Sequence, residues 1–127
     1  LNLSSQLKLD NLVILVDINK MSALGFTKDI VNLEPLEEKF EAFNIDTTRI
    51  DGNNLKELRN VLCSIDFKNK RSHAVLCDTI KGNSISFMEN DILWHYRYPH
   101  KENGEYQKAL AELKAIQPKG VIDPYES

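Results

Sequence analysis

The chain has 127 residues, 42% of them hydrophobic and 28% charged, with a formal charge of −3. That make-up describes a soluble globular domain with a real core, too short for two comfortable domains and too apolar for general disorder. It argues against an electrostatic nucleic-acid binder, because acids and bases are interspersed, and against membrane insertion, because no segment approaches the roughly 20 apolar residues a bilayer span requires.

Leu1 to Leu9 places apolar residues at 1, 3, 7 and 9, as the final turns of a helix would, and shows no basic start followed by a long apolar region of the secretory kind. Asp10-Asn11 then turns the chain into Leu12-Val13-Ile14-Leu15-Val16. This apolar, β-branched run predicts a strand buried on both faces of a parallel sheet, and the rest of the chain is organised around it. Asn19 to Asn32 reads as a loop. Glu34-Pro35 opens a helix with Leu36, Phe40 and Phe43 on one face. A strand follows over 44–51, with Ile45, Thr47 and Arg49 alternating against Asp46, Thr48 and Ile50. Asp51-Gly52-Asn53 turns into a second helix with the stripe Leu55, Leu58, Val61, Leu62 and Ile65. The cluster Lys68-Asn69-Lys70-Arg71 reads as a solvated loop before the next strand. Ala74-Val75-Leu76-Cys77-Asp78 is another apolar run that finishes on an acid. Strand, helix, strand, helix, strand predicts an α/β fold with right-handed crossovers: a parallel sheet with helices on both faces.

Thr79 to Gly104 is a long segment without periodicity, and a loop of that length is usually functional or disordered. Its Phe87, Met88, Trp94, His95, Tyr96 and Tyr98 favour order, since such side chains prefer burial. Tyr106, Ala109, Leu110 and Leu113 then describe a last amphipathic helix over Glu105 to Gln117. The expected division is a domain over 1–117 and a tail or linker over 118–127. Cys63 and Cys77 both sit in apolar segments and are expected to be buried, reduced thiols, which points to the cytoplasm; a disulfide between them is the weaker alternative.

In open α/β sheets ligands bind at the carboxyl ends of the strands, which directs attention to Asp17, Asn19 and the backbone around Met21. Asp and Asn are also ordinary turn residues. The Asn19 amide and the Met21 carbonyl are hard oxygen ligands of the kind Mg²⁺ or Ca²⁺ accepts, and Mg²⁺ usually completes its six oxygens with a carboxylate, waters and phosphates. Asp17 is a candidate acid, although the pleat is expected to point it away from Asn19. His95, beside Trp94, has the chemistry of a proton shuttle or of a donor to an anion, or is a packed surface residue. His73 and His100 are expected to be structural or solvent-exposed. The sequence holds no Gly-rich phosphate loop, no GxSxG turn and no HExxH pair.

Lys8-Leu9-Asp10-Asn11-Leu12, leading into Val16-Asp17-Ile18-Asn19-Lys20, is similar to the end of the thiamine-diphosphate motif of transketolases. The stretch Asp78-Thr79-Ile80-Lys81-Gly82-Asn83-Ser84-Ile85-Ser86-Phe87-Met88-Glu89-Asn90, followed by Trp94-His95, also resembles transketolase, particularly the enzymes made as separate amino- and carboxyl-terminal subunits. Asn32-Leu33-Glu34-Pro35-Leu36 and Arg49-Ile50-Asp51-Gly52-Asn53 match in order and spacing, so the resemblance runs from about Leu7 to Leu113.

This resemblance implies the later half of a thiamine-diphosphate-binding fold. It implies that the Asn19 side chain and the Met21 main-chain carbonyl ligate the divalent ion, Mg²⁺ or Ca²⁺, that anchors the cofactor diphosphate. Ile80 would pack near the thiazolium ring, and Ala23 holds a neighbouring position where relatives often carry a larger aliphatic residue. His95 matches the histidine that contacts the diphosphate and helps stabilise charge on the substrate. Ile18 departs from the acidic or polar residue common before the metal-binding Asn. The family's Gly-Asp-Gly, with its carboxylate ligand, would lie before Leu1, and the pyrimidine-binding domain with its activating glutamate lies outside this stretch. The implied activity is transfer of a two-carbon ketol unit between sugar phosphates, with the hard chemistry supplied by the cofactor. It would need a larger chain or assembly: a complementary subunit carrying the pyrimidine-binding domain, in a homodimer or heterotetramer. The alternatives are another thiamine-diphosphate enzyme, such as a deoxyxylulose-phosphate synthase or E1 component, and a noncatalytic α/β module whose aromatic loop binds a protein partner.

Overall fold

The computed structural model describes residues 1–116. The expected tail over 118–127 lies outside them. Two compact units are present, Leu1–Ile80 and the segment from Lys81 onward.

In the first unit, α1 (Asn2–Gln6) leads to β1 (Val13–Ile18), a short hairpin of β2 (Met21–Ser22) and β3 (Gly25–Phe26), and a helical turn α2 (Thr27–Ile30). Helix α3 (Leu36–Ala42), β4 (Asp46–Asp51), α4 (Leu55–Ser64) and β5 (His73–Asp78) complete it. β1, β5 and β4 form a parallel sheet in that order. β5 is therefore the central strand, and Ala74, Val75, Leu76 and Cys77 are all buried.

That order corrects the expectation for the first apolar run. β1 is an edge of this sheet, and Leu15 is 56% exposed. Both runs have the composition of a two-sided buried strand, but only the strand with neighbours on each side is enclosed on both faces. The expected loop after Asn19 is likewise corrected, because residues 21–26 pair as a hairpin around Ala23-Leu24. Its strands are too short to show an alternating pattern.

The register places Leu15, Thr48 and Val75 on one face, with Val16, Arg49 and Leu76 on the other. Helix α4 covers the first face, laying Leu58, Val61 and Leu62 on Ile50, Val75 and Cys77. Its start is capped by the Asn54 side chain, which accepts from Glu57 N at 3.2 Å, an arrangement that stabilises by about 1 kcal/mol. On the second face Arg49 reaches Glu37 in the first turn of α3. Helices thus lie on both faces, as the pattern predicts. Cys77 is buried as expected, whereas Cys63 is exposed on α4; both are free thiols.

The second unit is an irregular run from Lys81 containing one 3₁₀ turn, Ile92–His95, followed by α5 (Glu105–Ile116), whose Ala109 is buried. Among the described residues, no helix is long and apolar enough to cross a membrane.

Candidate functional site

Ile18, Asp78 and Asp51 stand side by side at the carboxyl ends of the three strands. Just beyond them, two polar groups occupy the two faces of the sheet. On the α4 face, residues two apart share a side of the strand, so Asp17, Asn19 and Thr79 converge. The Thr79 hydroxyl donates to Asp17 Oδ1, and Asn19 Nδ2 donates to Asp17 Oδ2 at 3.2 Å. The expectation that the pleat separates Asp17 from Asn19 is thereby corrected. Asn19 Oδ1 accepts from the Met21 N–H at 3.0 Å, across Lys20 at φ 62°.

The backbone of Met21 is oriented by the hairpin. Thr27 N donates to Lys20 O at 2.9 Å, and Met21 pairs with Phe26 one step further along. Antiparallel ladders alternate, so Met21–Phe26 is a pair without mutual hydrogen bonds. The Met21 N–H and carbonyl therefore both turn away from β3, toward the side holding the Asn19 amide. Two neutral hard oxygens are presented on one edge of one turn, with a carboxylate beside them.

On the opposite face, Asp78 accepts from Arg49 Nε at 2.7 Å and from Nη2 at 3.0 Å. Arg49 also donates to Glu34 at 2.8 Å and Glu37 at 3.3 Å, and Lys20 Nζ lies 3.8 Å from Asp78. The hydrogen bonds from Arg49 hold the Asp78 carboxyl below the usual carboxylate range. Those from Arg49, and then from the Leu36 N–H, do the same for Glu34. Asp78 and Glu34 in turn raise Arg49. Burial, reinforced by Asp17 and Asp78, pushes the Cys77 thiol up.

Ile80 leaves the sheet with its N–H held by Asn53 Oδ1 at 2.9 Å and its side chain 42% exposed. The turn that carries Asn53 runs very close to β5. Gly52 N donates to Asp78 O at 2.7 Å, and a Cβ on Gly52 would stand 2.6 Å from Cys77 Cβ and 2.7 Å from Thr79 Cγ2. Ala23 lies in the hairpin loop and is half-buried. His73 begins β5 and is buried, with Nδ1 4.0 Å from Asp46, so it is structural.

In the second unit, His95 closes the 3₁₀ turn, whose start is capped by Asp91 accepting from Leu93 N at 2.9 Å. The His95 ring is exposed and meets Tyr96 edge-on, with centroids 5.0 Å apart. Trp94 Nε1 donates to Phe87 O at 2.8 Å and the two rings pack edge to face. Arg97 lies over the indole at 4.4 Å. Ser86 donates to Glu112 from its N–H at 2.6 Å and its hydroxyl at 2.7 Å, tying the irregular run to α5. Of the aromatic residues expected to be buried, Phe87 and Trp94 are half-buried, whereas Tyr96 and Tyr98 are 68% and 71% exposed.

Asn19, Met21, Ala23 and Ile80 thus belong to the first unit and His95 to the second. Among the described residues, no three His, Cys, Asp or Glu side chains are grouped to hold a metal ion. A cation here would draw on the amide and carbonyl oxygens as well. Sequence reasoning missed Thr79 and the Arg49 group. An acid at the end of each of two apolar runs was the available signal, but it does not say which side chains those acids meet.

A parallel α/β sheet with polar side chains gathered at its strand ends is the arrangement in which open α/β domains place their ligand sites. The particular family follows from comparison: residues 1–102 match the family described as transketolase, thiamine diphosphate binding domain, and the chain belongs to it. It is 41% identical over 111 residues to an apulose-4-phosphate transketolase subunit from Actinobacillus succinogenes, a match covering 87% of this chain and 39% of that protein. It is 35% identical over 107 residues to the 6-deoxy-6-sulfo-D-fructose transketolase subunit SqwG of Clostridium sp., covering 84% of this chain and 38% of the relative. The chain therefore spans about two fifths of the length of these curated relatives. Transketolase from Campylobacter jejuni shares the fold, with a TM-score of 0.67 at 23% identity over 72% of this chain and 14% of that one.

Proposed function

We propose that this chain forms part of the diphosphate- and metal-binding side of a transketolase subunit. Its complete form, with a complementary subunit carrying the pyrimidine-binding domain, transfers a two-carbon ketol unit between sugar phosphates. The observation that carries this reading is the turn at Asn19-Lys20-Met21, which presents an amide oxygen and a main-chain carbonyl on one edge at the strand ends. Family membership and the names of the relatives support the cofactor class and the division into subunits.

The donor set fits a hard divalent cation, Mg²⁺ or Ca²⁺, which takes neutral and anionic oxygens. Asn19 Oδ1 and the Met21 carbonyl would hold it. When bound, thiamine diphosphate supplies the carbanion-stabilising chemistry. The exposed Ile80 side chain offers an apolar surface for the thiazolium ring, with Ala23 a small neighbour in the hairpin loop. His95, exposed on its turn, would donate from the imidazole to a diphosphate oxygen and help stabilise charge on the substrate. A homodimer or heterotetramer in the cytoplasm suits this reading, as do two free cysteines.

The test is Asn19→Ala in the complete assembly. Metal-dependent thiamine-diphosphate binding and ketol transfer are expected to be lost together, and unaltered transfer would overturn the reading. A second reading, a noncatalytic interaction module, is favoured by the exposed Leu93, Tyr96 and Tyr98. It requires Asn19→Ala to leave partner capture intact in a protein that never bound the cofactor.

A further inference from the structure

The Asn19 amide has two possible orientations, related by exchange of its oxygen and nitrogen, and only one of them presents the oxygen toward the Met21 side of the turn. Two contacts select that orientation. Nδ2 lies 3.2 Å from Asp17 Oδ2, and Oδ1 lies 3.0 Å from the Met21 N–H. Exchanging them would set oxygen against carboxylate and NH₂ against N–H, so both contacts become repulsive. The Met21 contact alone is local, spanning two residues of one turn. The Asp17 contact ties the amide to the sheet, because Asp17 sits on β1 and its other oxygen accepts from the Thr79 hydroxyl just past β5.

We propose that Asp17 is a positioning residue. Its carboxylate, anchored by Thr79, holds the Asn19 amide with Oδ1 turned out as a ligand oxygen. This rests on the reading of Asn19 as a metal ligand. It assigns Asp17 a place behind the ligand, where one oxygen accepts from Thr79 and the other from the Asn19 amide. Partners that orient a ligand in this way typically alter metal affinity about 10- to 100-fold when removed.

The test measures Mn²⁺ binding by electron paramagnetic resonance in the complete protein with thiamine diphosphate present, alongside the thermal midpoint of the metal-free protein. Asp17→Ala is expected to weaken Mn²⁺ by about tenfold or more with little change in the metal-free midpoint. Asp17→Asn is expected to stay near the parent, because its amide oxygen accepts from Asn19 while its NH₂ donates to the Thr79 hydroxyl. Thr79→Val, which leaves Asp17 in place, is expected to cause a smaller loss and keeps the test open should Asp17→Ala not fold. If Asp17→Asn loses as much affinity as Asp17→Ala, the negative charge itself is the ligand and the proposal fails. Unchanged affinity in both Asp17→Ala and Thr79→Val also overturns it. Asn19→Ala separates the two levels: if it leaves Mn²⁺ affinity unchanged, the metal reading has failed, whereas a loss there with none in the Asp17 variants sinks the positioning role alone.

Discussion

Asp78 accepts both of its short hydrogen bonds from a single guanidinium, that of Arg49, at 2.7 and 3.0 Å. The same guanidinium reaches Glu34 before α3 and Glu37 within it, so one side chain on β4 joins the end of β5 to the entry of a helix. A planar guanidinium grips one carboxylate with two bonds and has further donors left for others, whereas an ammonium has three donors and no bidentate fork. Arg49→Met leaves three carboxylates without their shared partner. The expected loss in urea unfolding is about 2 kcal/mol, less than for a fully buried pair because 26% of the Arg49 side chain is exposed. Arg49→Lys is expected to recover only part of it.

The same cluster sets a pH dependence. Asp78 and Glu34 titrate lower in the folded protein than in the unfolded chain, chiefly through hydrogen bonds from Arg49. Their contribution to stability is therefore fully present above the ordinary carboxylate range and is lost as pH falls through the folded values. Thermal midpoints recorded on a descending pH series are expected to fall for the parent. In Arg49→Met the fall should be shallower, since its carboxyls have lost the bonds that depress them.

Gly52 is required by close approach. A methyl group there meets Cys77 Cβ at 2.6 Å and Thr79 Cγ2 at 2.7 Å, and neither atom belongs to a long flexible side chain. Gly52→Ala is expected to destabilise by about 1–3 kcal/mol. It should also loosen the Asn53 contact to Ile80, read as faster hydrogen exchange at the Ile80 amide. An unchanged exchange rate would mean the turn absorbs the methyl group without moving.

Glu112 grips Ser86 through both the N–H and the hydroxyl, and those bonds hold its carboxyl below the usual range. Glu112→Ala is expected to expose the run 81–90 to limited proteolysis while α5 keeps its helical signal in circular dichroism. Ser86→Ala, which retains the backbone bond, should be less sensitive. Equal cleavage in the parent and Glu112→Ala would show that the turn holds without its carboxylate.

The order of the three sheet strands and the longer helices was legible from the apolar runs and from Glu34-Pro35, Asp51-Gly52-Asn53 and the Leu55–Ile65 stripe, because each depends on neighbours within a few residues. Ala23 and Ile80 came from resemblance to a family alone; at Asn19 and Met21 it was joined by the expectation that strand ends face a ligand, and at His95 by the chemistry of an imidazole beside Trp94.

What the sequence by itself determined is local: the three longer strands and the longer helices, that those strands run parallel, and that polar residues gather where the apolar runs stop. Only the tertiary structure decided that β5 and not β1 is the enclosed strand, since burial on both faces depends on having a strand on each side. Only there do Arg49 and Asp78, 29 residues apart, and Asp17 and Thr79, 62 apart, become hydrogen-bonded partners. Those pairings follow from parallel register, which sets Arg49 beside Leu76 and Asp17 beside Cys77 and so brings Asp78 and Thr79, two residues further along the same faces, within reach; no periodicity along the chain encodes it.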